Sequence, residues 1–129
     1  MLTAQLILLH CARSKVAFVL EELGLTYENI FLDFAKGEQK APEHTKYNPN
    51  GRIPTLIDHH NDDFVVWESD AIMLYLTDKY DTEKRLTVTG DKERYTLLQW
   101  LFFQASGQGC VPSSLSRRDL LLLFSLGHR

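Results

Sequence analysis

Asn48-Pro49-Asn50-Gly51-Arg52-Ile53-Pro54-Thr55-Leu56, followed by Trp67-Glu68-Ser69-Asp70-Ala71-Ile72, decides how this chain is read. Asn48 to Gly51 is a turn, because Asn and Gly tolerate positive φ and Pro pre-sets its own. The chain then enters a strand with proline at its start, a residue that donates no ladder hydrogen bond and leaves an edge unpaired. The second segment is a strand ending in an acid and a hydroxyl where a helix begins. Free N–H groups and the helix dipole attract an anion there. Together, an unpaired edge and a helix N-terminus suit one small peptide-like ligand with a zwitterionic amino-acid end. Each piece also has an ordinary alternative. Pro54 alone reads as a trans turn proline, and Glu68-Ser69 alone as a plain cap with an acid favouring the dipole.

Upstream, Gln5 to His10 is a short apolar run, as in a strand buried on both faces. Val16, Val19, Leu20 and Leu23 recur at helical spacing, with Ser14 placed to cap that helix and Gly24 to end it. Tyr27 to Leu32 predicts a second strand, so a right-handed parallel crossover opens the chain. Asp33 to Lys46 is polar and broken by Gly37 and Pro42, which predicts a loop and at most a short helix. Thr55-Leu56-Ile57 and Phe64-Val65-Val66-Trp67 flank a polar hairpin loop, His59 to Asp63. Ile72, Tyr75, Leu76 and Tyr80 mark one face of a helix over Ser69 to Tyr80. The order β-α-β-α-β-β-α fits a thioredoxin-like α/β domain over residues 1–84. A polar linker leads to a helix over 91–107, capped by Asp91 and carrying Leu97, Leu98, Leu101 and Phe102. The tail, 108–129, changes character, with a loop-like Ser113 to Arg118 and an apolar Leu120 to Phe124.

The 129 residues make about one domain, and 44% hydrophobic with 24% charged residues is an ordinary globular composition. The net charge of −3 comes from 14 basic and 17 acidic residues with the signs interspersed. No basic face points to nucleic acid. Cys11 and Cys110 make no disulfide framework, and no apolar run approaches the ~20 residues that span a bilayer. Leu6 to Leu9 lacks the basic leader and cleavage site of a signal peptide. A cytoplasmic protein is expected. His59-His60 with Asp62 and Asp63 lacks metal-ligand spacing, so no metal is expected. Tyr75, Tyr80 and Tyr95 read as packing.

Leu20-Glu21-Glu22-Leu23-Gly24-Leu25-Thr26-Tyr27 and the Asn48 to Pro54 stretch are phrased as in the glutathione transferases, which the chain resembles from Ser14 to Gly107. Ile30-Phe31-Leu32-Asp33-Phe34, Lys36-Gly37-Glu38, Ala41-Pro42-Glu43 and Trp100-Leu101-Phe102-Phe103-Gln104 are similar to the fungal class related to the yeast nitrogen-regulator prion protein. The resemblance implies attack of a glutathione thiolate on a small electrophilic substrate, in detoxification or stress response. Glutathione is then a co-substrate, no further cofactor is needed, and family members usually form homodimers. It also implies a cis Ile53–Pro54 bond, with the Ile53 backbone pairing with the cysteinyl group like an added strand. Glu68 and Ser69 match the γ-glutamyl contacts, and Arg52 is placed to reach the glycyl carboxylate. Gln39 stands where relatives often have a histidine contacting glutathione.

Family members activate the thiol from a Tyr, Ser, Cys or Asn after the first strand. The nearest class has a longer loop there, often with an asparagine a few residues before the pair matching Lys15-Val16. Here the loop is His10-Cys11-Ala12-Arg13-Ser14, with Ala12 at the asparagine's place. Ser14 is one substitute, since a donor to the thiolate lowers its pKa. Cys11 is the other, a thiol just before a helix N-terminus with Arg13 near, a setting that lowers its own pKa. That arrangement resembles the omega-type transferases and monothiol glutaredoxins, which exchange glutathione on mixed disulfides. The plain alternative is a buried strand-end cysteine and a capping serine. Only the first helix of the family's helical domain is expected here, and most of the electrophile site comes from that domain. Impaired transfer, a non-catalytic glutathione-binding regulatory module, Cys11-dependent exchange and an incomplete gene product therefore all stay open.

Overall fold

The computed structural model describes residues 3–8 and 15–108; Cys11, Ser14 and the tail beyond 108 lie outside them. Strands β1 (Thr3–Leu8), β2 (Thr26–Phe31), β3 (Thr55–Asp58) and β4 (Phe64–Trp67) form one sheet in the order β2-β1-β3-β4. β1 pairs parallel with β2 and antiparallel with β3, and β3 pairs antiparallel with β4. Helices α1 (Lys15–Glu22), α2 (Pro42–Thr45) and α3 (Ser69–Tyr80) complete a thioredoxin-like α/β domain. β1 starts at Thr3, ahead of the apolar run, because Thr3 and Ala4 still find partners in Thr26 and Tyr27.

Strand alternation divides the sheet's residues between two faces. Ala4, Leu6 and Leu56 meet Val16 and Leu20 of α1 and Ile72 and Leu76 of α3, and these seven make up the fully buried core. α1 ends as its sequence predicts. Gly24, at φ +64, donates to the Glu21 carbonyl at 3.0 Å, and Leu25 donates to that of Leu20 at 2.9 Å. This is a Schellman closure, which uses the left-handed conformation glycine adopts without cost.

The polar segment after β2 is more ordered than a loop. Turns of 3-10 helix run over Phe34–Lys36 and Glu38–Lys40, ahead of the four-residue α2. The hairpin tip is also structured, as a 3-10 turn over His59–Asn61. Asp58, 1% exposed, accepts from the His60 amide at 3.0 Å. Its other oxygen accepts from the hydroxyls of Tyr75, at 2.5 Å, and Tyr80. The two tyrosines thus bond to a buried carboxylate as well as pack. Burial, then the bond to Asp58, pushes the Tyr75 hydroxyl up to about 12, and the same causes raise Tyr80.

Asp81, just past α3, is buried and accepts from the Arg85 amide at 2.9 Å and the Leu86 amide at 2.7 Å. Burial opposes its ionisation, but the two amides, with Lys84 and Arg85 near, outweigh burial and hold the carboxyl below its ordinary range. A depressed pKa stabilises above the unfolded value, about 3.9, and that contribution is lost as pH falls through the folded value. Wild type is therefore expected to exceed Asp81→Asn in stability by a constant margin near neutral pH. In urea melts at stepped pH, the margin should shrink only in acid.

The chain divides into two compact units, Met1–Thr89 and Gly90–Arg129. Within the second, α4 (Asp91–Phe103) has Gly90, not Asp91, as its N-cap. Asp91 and Glu93 lie in the first turn, where negative charge suits the dipole. Helical structure, expected over 91–107, runs to Gln108, with a π-helical turn over Gln104–Gln108 at its end. Among the described residues, no helix is long and apolar enough to cross a membrane.

Candidate functional site

The turn ahead of β3 is tied down by side chains. Asn48, 2% exposed, donates from Nδ2 to the Arg52 carbonyl at 2.9 Å and to Thr55 Oγ1 at 3.1 Å. Its Oδ1 accepts from the Asn50 amide at 3.1 Å. His44, 3% exposed on α2, lies 2.8 Å through Nε2 from the same Arg52 carbonyl, so Nε2 carries the proton. Two donors therefore converge on the carbonyl of the residue before Ile53, and the Ile53–Pro54 bond is cis.

Gly51 completes the turn at φ +58, where a Cβ would stand 2.8 Å from the Gln39 carbonyl oxygen and 2.8 Å from Lys40 Cδ. Gly51→Ala combines a left-handed backbone, costing an L-residue about 1–2 kcal/mol, with a clash against main chain. The expected result is a stability loss of at least that order in a denaturant melt. Weaker ligand binding should accompany it, because Gly51 lines the pocket. That pocket, about 360 Å³, is lined by Phe34, Gln39, Lys40, Gly51, Arg52 and Ile53. Arg52 is exposed and Ile53 half-buried, while Gln39 Oε1 is buried with no hydrogen-bond partner among the described residues.

Thr55 pairs with Trp67 at the end of the β3–β4 ladder, so Pro54 and Glu68 each adjoin that last pair in sequence. Glu68 is exposed and holds φ +72, ψ +119, a region that costs a non-glycine residue about 1–3 kcal/mol. Its carbonyl accepts the first α3 bond, from the Ile72 amide at 2.9 Å, but no side chain caps the helix. The half-buried Ser69 is the first residue of α3, next to those uncapped N–H groups. Asp70 then forms an ion pair with Lys15, joining the N-termini of α1 and α3, while Asp70 Oδ2 stays buried without a partner among the described residues.

The structure thus places Gln39, Arg52 and Ile53 around one pocket and Glu68 and Ser69 at one helix start. Cys11 and Ser14 fall outside the described residues. His44, the double role of Asn48 and the Lys15–Asp70 pair carried no signal in the sequence beyond Asn48 as a turn former. On the hairpin, His59 pairs with Asp63. Among the described residues, no group of three or more His, Cys, Asp or Glu is placed to hold a metal ion.

β3 is paired on both sides, so no unpaired edge follows Pro54. Fold and site define a thioredoxin-like domain with a cis-proline turn ahead of β3 and an uncapped helix start. The family described as glutathione S-transferase, N-terminal domain, matches residues 5–78, and the chain belongs to that family. It is 59% identical over 98 residues to Glutathione S-transferase 2 of Schizosaccharomyces pombe, covering 75% of this chain and 43% of that protein. It is 51% identical over 96 residues to Protein URE2 of Meyerozyma guilliermondii, covering 72% and 32%. The glutathione transferase URE2P6 from Phanerochaete chrysosporium, solved with oxidized glutathione, superposes at TM-score 0.80 and 49% identity, over 95% of this chain and 67% of that one. Ure2p in complex with glutathione superposes at 0.76 and 45%, over 81% and 49%. The chain spans less than half the length of these two curated relatives.

Proposed function

We propose that this chain binds glutathione along Arg52–Pro54 and Glu68–Ser69, and that its function is glutathione transfer to a soft electrophile. The observation that carries this is Glu68, held at φ +72 at the uncapped start of α3. A non-glycine residue stays in that region only where its surroundings over-determine it, and such strain clusters at ligand clamps. Ser69 and the first-turn amides take the α-carboxylate of the γ-glutamyl group, and Glu68 takes its α-ammonium. The Ile53 backbone pairs with the cysteinyl unit, while Arg52 and Gln39 face the glycyl end in the pocket they share. Glutathione is the co-substrate, and Ser14 or Cys11 activates its thiol. Homodimers are part of the same reading.

A second reading rests on a specific relative. The chain is 50% identical over 96 residues to the Transcriptional regulator URE2 of Saccharomyces cerevisiae, which favours a glutathione-binding module without transfer. Calorimetric titration of glutathione into the folded chain tests both, with saturable binding expected and its absence overturning the site. Binding with turnover of 1-chloro-2,4-dinitrobenzene supports transfer. Binding without turnover supports the regulatory module. Exchange on a glutathione mixed disulfide that Cys11→Ser abolishes would move the chemistry to Cys11.

A further inference from the structure

The sheet face turned away from α1 and α3 carries a second cavity, of about 450 Å³. Strand alternation brings Ile7, Ile30 and Ile57 to it, and the register sets Ile7 against Ile30 and Gln5 against Ile57. Ile7 and Ile57 of this apolar floor are buried and Ile30 is half-buried. The four-residue α2 and the turn after it bring His44 and Tyr47 to the cavity wall. The volume lies in the range of small-molecule sites, which combine an apolar lining with a few polar groups.

The charged groups have one sign: among the described residues, Glu38 and the exposed Glu43 line the cavity, and no lysine or arginine does. Glu38 Oε2 already accepts from the Asp33 amide at 2.7 Å, but a carboxylate has further acceptor capacity. His44 spends its Nε2 proton on the Arg52 carbonyl, so its Nδ1 is an acceptor, and it has no partner among the described residues. A buried polar atom left unpaired asks for an explanation. Gln5 and Tyr47 can each donate or accept, while the charged lining groups are carboxylates and the buried unpaired atom is an acceptor, so a cation with N–H donors complements them.

We propose that this cavity is a second ligand site, taking a primary ammonium on an apolar, aromatic-sized body. The body lies on the isoleucines, and the ammonium donates to His44 and the carboxylates. Nδ1 is shielded from water as it stands, so the ligand reaches it with a small shift of α2, of the size common on binding.

The test uses the full chain and 2-(1-naphthyl)ethylamine, with its uncharged N-acetyl derivative for comparison. The amine is expected to bind saturably and the acetyl compound about ten- to a hundredfold more weakly, as for hydrogen bonds to a charged group. Backbone amide shifts in NMR should centre on His44 and on Ile53, whose amide belongs to the peptide His44 holds. Ile30→Phe, filling the cavity, should abolish binding with the circular dichroism unchanged. Glu43→Gln, at an exposed position, should weaken it by about two- to fivefold. Equal binding of the two compounds overturns the proposal, as does the absence of saturable binding or indifference to both variants. Glutathione titrated into a separate, amine-free sample reads the other site by itself, so a failure at either site is seen on its own even though His44 links them.

Discussion

Ser69→Ala is expected to weaken glutathione binding by about ten- to a hundredfold, the effect of removing a hydrogen bond to a charged group. The helix-start amides remain, so binding should fall without vanishing. Glu68 separates the contributions further. Glu68→Gln keeps the shape and removes the charge meant for the α-ammonium, so affinity should drop with little change in folding stability. Glu68→Gly removes both the acid and the reason for strain, because glycine adopts φ +72 freely. That variant is expected to lose affinity yet gain stability, up to the ~1–3 kcal/mol that such a conformation costs, less the backbone freedom glycine adds to the unfolded chain. A rise in Tm together with a loss of affinity in one variant is the signature of strain kept for a ligand. If Ser69→Ala binds glutathione at full strength, the site is wrongly placed.

Asp58→Ala is expected to destabilise the first unit by about 3 kcal/mol or more, as when one partner of a buried polar network is removed. The carboxylate accepts from the Tyr75 and Tyr80 hydroxyls and from the His60 amide. Alanine strands all of them and melts the turn over His59–Asn61. Asp58→Asn should cost less, because one amide oxygen still accepts. Tyr75→Phe should cost about 1.5–3 kcal/mol, since its hydroxyl donates to the carboxylate and accepts from Asn61 Nδ2. Alkaline titration followed by tyrosine absorbance gives a second readout. The raised pKa values mean that this contribution is complete below the unfolded tyrosine value, about 10, and is lost as pH rises through the folded values. Tyr75, pushed up to about 12, and Tyr80 should titrate above the ordinary tyrosine value, and Asp58→Ala should bring any folded remainder back toward it.

Local signals served the fold well. The spacing of Val16, Val19, Leu20 and Leu23 and the glycine after them set α1, and Ser69 to Tyr80 is helical over the span its apolar face predicts. Boundaries drifted where pairing partners, not hydropathy, decide them, as at Thr3 of β1. The hairpin tip read as a plain polar loop, because nothing local says which hydroxyls will reach Asp58 from α3. The positions Arg52, Ile53, Glu68 and Ser69 could be named from the sequence, but the conformation of Glu68 could not. No local preference puts glutamate at positive φ, and only the junction of β4 with α3 imposes it. His44 was invisible for a similar reason, since its partner is a main-chain carbonyl and any residue type there supplies the same oxygen.

That shared carbonyl has an evolutionary consequence. His44 and Asn48 both bond to the Arg52 oxygen, so at that one contact the loss of either leaves a donor to the peptide, although Asn48 also holds Thr55 and the Asn50 amide. A lineage that has lost one is no longer free to lose the other. Tolerance at position 44 is therefore contingent on what already stands at 48. The same replacement can pass unnoticed in one relative and be lethal to the turn in another, with no difference at the site that carries it.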